Sequence, residues 1–142
     1  MPDSMLTPYL TLCVSVFNAA DRIEGVLNTI TQQENIKKEE WEVVVINNNS
    51  TDSSVRIIEE WLPKSPTTAR LLNEPRQGLS HVRRRGWAES QGKVLAYIDD
   101  DNYLKPSWVR NCINFFKEYP KAGMAGGRVL PRLTGVFPPY WD

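Results

Sequence analysis

Val94-Leu95-Ala96-Tyr97-Ile98-Asp99-Asp100-Asp101-Asn102 is an apolar, β-type run that ends abruptly in three consecutive carboxylates. In an extended chain successive side chains point to opposite sides. The run therefore predicts Asp99 and Asp101 on one side, roughly 6–7 Å apart along the strand, with Asp100 facing away. Like charges at that spacing repel by about 2–3 kcal/mol at an effective dielectric near 20. The repulsion is relieved when a divalent cation sits between the carboxylates and a ligand with its own negative charge, such as a diphosphate. The plainer alternative is a solvated acidic turn, with Asp101 and Asn102 capping a helix that starts near Pro106.

The flanking sequence favours the first of these. Leu10 to Val16 is a near-continuous apolar run, the pattern of a strand covered on both faces, and Asp21 to Gln33 carries Ile23, Val26, Leu27 and Ile30 as a helical stripe capped by Asn18 or Asp21. Trp41 to Ile46 predicts a second buried strand. Asn47 to Asp52 is a cluster of cap and turn residues before Val55, Ile58 and Leu62 at helical spacing. Pro63 and Pro66 end that helix, and Arg70 to Asn73 is a minor third strand. Gly78 opens a third helix through Ser90, with Arg83, Arg84 and Arg85 on its exposed side. Pro106 and Ser107 start a fourth helix with Trp108, Cys112, Phe115 and Tyr119 as its core stripe. Ala122 to Leu130 reads as a glycine-weakened final strand, and Val136 to Asp142 as a loop.

Buried strands alternating with helices imply an α/β fold, a mostly parallel sheet flanked by helices on both faces. Ligands of such sheets bind at the carboxyl ends of the strands, near the switch in strand order. Ser15-Val16-Phe17-Asn18, Asn47-Asn48-Asn49 and Asp99-Asp100-Asp101 all end strands, so the three polar clusters open on one edge.

The whole chain sets the outer bounds. Its 142 residues fit one domain, and 17 basic side chains against 17 acidic ones give no global reason to bind nucleic acid or an anionic membrane. Cys13 and Cys112 lie in apolar segments at no metal-ligand spacing and read as small hydrophobes of a reducing compartment. With no membrane-length apolar run and no signal-peptide pattern, the expected location is cytoplasmic, including the cytoplasmic face of the membrane. There is no glycine-rich dinucleotide fingerprint and no Gly-Lys-Ser/Thr phosphate loop, so a phosphate here needs a metal. An aromatic ring at Phe17, amides at Asn47 and Asn48, arginines and a carboxylate pair together describe a site for a nucleoside diphosphate.

Val-Ser-Val-Phe-Asn (residues 14–18), Val-Val-Ile-Asn-Asn-Asn-Ser-Thr-Asp (44–52), Gly-Leu-Ser-His-Val-Arg-Arg-Arg-Gly (78–86) and Gly-Lys-Val-Leu-Ala-Tyr-Ile-Asp-Asp-Asp (92–101) occur in that order. The set resembles the family 2 glycosyltransferases, over roughly residues 8 to 130. The resemblance implies a GT-A fold, a Rossmann-like domain of nucleotide-diphospho-sugar transferases. It implies a hexosyltransferase-type enzyme that transfers sugar with inversion from a nucleotide-diphosphate donor, UDP-sugar foremost, to the hydroxyl of a saccharide or lipid-linked acceptor in polysaccharide or glycoconjugate synthesis. Carried over by position, Ser15 and Phe17 lie beside the base and Asn47 and Asn48 at its edge. Asp99 and Asp100 come near the ribose and the metal, and Asp99 and Asp101 hold Mg²⁺ or Mn²⁺. Arg83 takes the place of the family's usual arginine, with Arg76 a second helper.

This chain departs from the family pattern at two motifs. Asn47 stands where an aspartate usually begins the second motif, which alters base recognition or shifts it to Asn48, and Phe17 stands where a tyrosine is usual, keeping the stacking ring but losing its hydroxyl. The resemblance also implies a general base from an acceptor half beyond Asp142, so residues 1–142 read as the donor-binding half of one truncated domain. His81, the lone histidine, reads as a surface or packing residue. Two rival readings stand beside the enzyme: a non-catalytic nucleotide-sugar binding module, and a Mg²⁺-binding flavodoxin-like signalling domain, which would want an acid at the end of the first strand. The apolar Pro138-Pro139-Tyr140-Trp141 terminus further predicts self-association through that region.

Overall fold

The computed structural model describes residues 7–131. Four strands, β1 (Leu10–Val16), β2 (Trp41–Asn47), β3 (Thr68–Asn73) and β4 (Val94–Asp99), alternate with four helices, α1 (Ile23–Thr31), α2 (Ser54–Trp61), α3 (Leu79–Glu89) and α4 (Trp108–Glu118). All strands are parallel, in the order β3-β2-β1-β4. The chain winds outward from β1 to β3, then returns to lay β4 on the other side of β1. The switch in strand order thus falls between β1 and β4, where parallel α/β sheets open a crevice.

Every residue of β1 and β2 is buried, which explains why their sequences are apolar runs rather than alternating patterns. Leu10, Leu12, Val14 and Val16 pack with Trp41, Val43 and Val45 under α1, α2 and α4. On the opposite face Cys13, Val44 and Ile46 meet Val82 of α3, with Leu72 and Leu95 alongside. There α3 rests at Gly86, where an added Cβ would overlap the Cys13 sulfur and crowd Tyr97 and Ile46. A buried polar cluster closes the opposite end of the sheet. Glu42, 2% exposed, accepts from Thr11 Oγ1 at 2.7 Å and the Gln91 N–H at 2.9 Å, and pairs with Arg70 at 3.2 Å.

Several boundaries and faces differ from the sequence reading. Neither Asn18 nor Asp21 caps α1. Asn18 takes a left-handed backbone (φ 46°) and spends its Oδ1 on the Thr51 N–H, while the Ala19 carbonyl accepts the N–H groups of Arg22 and Ile23. Asp101 and Asn102 do not cap α4 either, because Asn102 folds back to accept the Asp99 N–H through Oδ1. The buried face of α4 is Val109 and Ile113. Trp108 and Cys112 pack partly against the core, but Phe115 and Tyr119 stand largely exposed and stack on each other, with centroids 5.0 Å apart. β3 is longer than expected, and Arg85, half-exposed on α3, pairs with Glu89 one turn along at 3.1 Å. Residues 122–130 form no strand: three glycines weaken the segment, and no strand among the described residues pairs with it. The loop expected at Val136–Asp142, the Pro138–Trp141 self-association surface and any residue beyond Asp142 lie outside the described residues.

Candidate functional site

The parallel register fixes where the strand-end clusters meet. Ser15 sits opposite Asp99 on one side and Ile46 on the other, and Val16, Asn47 and Asn73 form one row across β1, β2 and β3. At the β1–β4 switch point a cleft of about 370 Å³ is walled by Ser15, Val16 and Phe17, by Asp99, Asp100 and Asp101, and by Asn48 with Gln77, Gly78, Leu79 and Val82. The size suits a nucleotide-class ligand. Phe17 is 46% exposed and lines the cleft, which leaves its side chain free to meet a flat base.

The three aspartates have three different surroundings. Asp99 accepts the Ser15 hydroxyl at 3.2 Å, and its own N–H donates to Asn102. Asp100 does not face away, because β4 ends at Asp99 and the chain turns there, so strict alternation lapses. It accepts the Phe17 N–H at 3.2 Å and Arg22 Nε at 2.9 Å. Asp101 is exposed and accepts from Asn102 Nδ2 at 3.0 Å.

The two asparagines part company. Asn47 lies in the sheet and off the cleft wall, with its amide donating to Asn73 Oδ1 at 3.0 Å and its Oδ1 accepting the Ser50 N–H at 3.0 Å. Asn48 is on the wall and ties down the loop after β3. Its Nδ2 donates to the carbonyls of Glu74 and Arg76, both at 2.8 Å, and its Oδ1 accepts the Gly78 N–H at 2.8 Å. Gly78 needs the backbone freedom it has, at φ 128°. Arg76 forks onto the buried Glu74 carboxylate at 2.8 and 3.0 Å, which with the Arg76 N–H holds that acid down to about 2. Arg83 is exposed, lies 5.9 Å over the ring of Tyr97 in β4, and does not line the cleft.

Sequence reasoning missed Arg22, Asn102 and Gln77. Asn102 carried a signal as the polar residue after the acids, but Arg22 meets Asp100 across 78 positions of sequence, a pairing no local pattern could reveal.

Among the described residues, no group of three or more His, Cys, Asp and Glu side chains could hold a metal. The oxygens present still fit a hard cation. Mg²⁺-type ions commonly bind through one or two carboxylates plus substrate phosphates, and Asp99 and Asp101 each engage only one oxygen within the described protein.

Comparison with known proteins gives this cleft a context. The model for glycosyl transferase family 2 matches residues 11–138. EpsH of Bacillus subtilis (strain 168) is 31% identical over 106 residues, 73% of this chain and 29% of that protein. The mannosyltransferase PcManGT from Pyrobaculum calidifontis, solved in complex with GDP-Man and Mn²⁺, superposes with a TM-score of 0.68 at 26% identity, covering 77% of this chain and 32% of that one. TarS 1–349 of S. aureus, solved with UDP, superposes with a TM-score of 0.71 over 87% of this chain and 38% of its own, and at 23% identity shows the GT-A fold alone. The chain spans about a third of the length of these relatives.

Proposed function

Since the chain belongs to glycosyltransferase family 2 and has the GT-A fold, we propose that its cleft binds a nucleotide-diphosphate sugar, with UDP-sugar the expected donor, for transfer to a hydroxyl acceptor. The observation that carries this reading is the convergence of Phe17, Ser15 and the acid turn on one cleft at the β1–β4 switch point. Phe17 would stack on the base, with the Asn48 wall beneath it. Asp99 and Asp101 would hold Mg²⁺ or Mn²⁺, a reading supported by the presence of Mn²⁺ beside GDP-Man in the solved PcManGT complex. Bound there, the cation would stabilise the negative charge that grows on the departing diphosphate.

Around that position the chain's own residues set the geometry. Ser15 keeps one Asp99 oxygen engaged and the Asn102 turn fixes the backbone of the same residue, so the carboxylate is oriented before ligand arrives. Asn47 serves the reading indirectly, by bracing the end of β2 through Asn73 and Ser50. Arg83 and Arg76 stand outside the cleft wall and are not assigned donor contacts. Transfer with inversion needs a general base that takes the acceptor hydroxyl proton as that oxygen attacks the anomeric carbon. The base and the acceptor contacts are assigned to none of the described residues, and the chain spans only about a third of the length of its relatives.

Calorimetric titration of UDP, GDP and dTDP into the chain, with and without Mn²⁺ and beside Asp101→Ala, tests the reading. Mn²⁺-dependent UDP binding that disappears in the variant is the expected result. A folded chain that binds none of the three overturns it, and GDP selectivity would replace the donor.

A further inference from the structure

Asp100 is the best-held member of the acid turn. Its side chain is 15% exposed, and both of its oxygens are committed within the protein, Oδ2 to the Phe17 N–H and Oδ1 to Arg22 Nε. Arg22 is itself braced, since Nη1 donates to the Asn18 carbonyl at 3.2 Å and to Asp21 Oδ1 at 2.8 Å. One guanidinium thus ties the loop after β1 to the turn after β4, both of which supply residues to the cleft wall.

The electrostatics of three successive carboxylates call for such a contact. Left unpaired, the middle charge would repel its neighbours and compete with them for a cation. A charge-assisted hydrogen bond in a partly buried setting is about twice as strong as a neutral one, so Arg22 can hold Asp100 out of that competition. The geometry also suits arginine rather than lysine. The planar fork sends Nε toward Asp100 and Nη1 toward Asn18 and Asp21 at once, whereas a single ammonium on a flexible stem cannot keep those directions fixed.

We propose that Arg22 is a positioning residue of the donor site. It removes Asp100 from cation binding and clamps it beneath the Phe17 peptide. The turn therefore presents Asp99 and Asp101, and the Phe17 ring is held at a set height from them. The proposal rests on the donor-binding reading above.

The test uses Arg22→Met, Arg22→Lys, Asp100→Asn and the double variant Arg22→Met/Asp100→Asn. Two readouts are taken: Mn²⁺-dependent UDP affinity, and hydrogen exchange of the Phe17 amide followed by NMR. Loss of a partner standing behind metal-site residues typically costs about ten-fold or more in affinity, and Arg22→Met is expected to show that loss. Its thermal midpoint should move by only a few degrees, and Arg22→Lys should recover the affinity in part. The double variant should be no worse than the weaker single one, because both changes break the same contact. Phe17 exchange should quicken in Arg22→Met and Asp100→Asn alike. A wild-type chain that binds UDP with Arg22→Met indistinguishable from it, or losses that multiply in the double variant, overturns the clamp and leaves the donor reading standing. A wild-type chain that binds none of UDP, GDP and dTDP while the Phe17 amide still answers to Arg22→Met overturns the donor reading and leaves the Arg22–Asp100 contact as a structural tie only.

Discussion

Ser15 and Asp99 stand directly opposite each other in the β1–β4 ladder, and the serine hydroxyl donates to the aspartate at 3.2 Å. The pair joins β1 to β4 across the switch point. Ser15→Ala is expected to cost about 1 kcal/mol of stability, the usual worth of one such hydrogen bond. It should also weaken Mn²⁺-dependent UDP binding severalfold, because Asp99 loses its orienting donor. Urea denaturation and calorimetry on the same preparation separate the two effects, and unchanged nucleotide affinity would show that Asp99 needs no such partner.

Helix α3 touches the sheet at Gly86, and a methyl group there would run into the Cys13 sulfur. Overpacking of a close-packed contact costs roughly 1–3 kcal/mol, and Gly86→Ala should fall in that range. In a Cys13→Ala background the same substitution should cost clearly less, since the obstructing atom is gone. Because α3 carries Leu79 and Val82 into the cleft wall, Gly86→Ala should also loosen nucleotide binding. Equal penalties in the two backgrounds would mean that the helix is displaced by something other than Cys13.

Acid should release the loop between β3 and α3. Glu74 is held from an ordinary value of 4.5 down to about 2, first by the Arg76 side chain and then by the Arg76 N–H. A carboxylate with a depressed folded value contributes stability that is present above its unfolded value and is lost as pH falls through the folded one. The window is therefore about pH 4.5 to 2. Glu74→Gln should be less stable than wild type at pH 6, with the gap closing steadily below pH 4.5. A gap independent of pH would show that the glutamate acts by packing alone.

The two thiols should behave differently in the folded chain. Cys13 is fully buried and its thiol is pushed up to about 12 by desolvation; burial also raises Cys112, which is only partly covered. At pH 8 a thiol reagent should modify Cys112 slowly and Cys13 only after denaturant is added. The raised value has a stability consequence of opposite sign to that of Glu74. The contribution of the neutral Cys13 thiol is complete below about pH 9 and is lost as pH rises toward 12, a loss that Cys13→Ala should abolish.

The layers of the fold were legible because burial writes itself directly into composition. β1 and β2 are covered on both faces and read as unbroken apolar runs, and the helical stripe of α1 returns as the buried set Ile23, Val26, Leu27 and Ile30. The meeting of the strand-end clusters was legible because three strand ends open on one edge of a parallel sheet. Asp100 was misplaced because two-residue alternation holds only inside a strand, and β4 ends one residue earlier. In α4 the large rings of Phe115 and Tyr119 outweighed Val109 and Ile113 in the pattern, yet the smaller side chains are the ones that fit against the sheet. Asn47 and Asn48 looked equivalent in sequence; only the register shows one turned into the sheet and the other into the cleft wall.

The strand order also carries a statement about how the molecule is assembled in time. β1, β2 and β3 can pair from neighbouring stretches of chain, but β4 must travel back to β1, so the Ser15–Asp99 contact spans 84 positions. Such distant closures carry the larger loss of chain freedom and form late. The cleft does not exist until that closure is made, and a ligand that binds it stabilises only the finished sheet. Nucleotide added during refolding should thus slow the loss of β4 without hastening the pairing of the other three strands, making the ligand a reporter of the last step of folding.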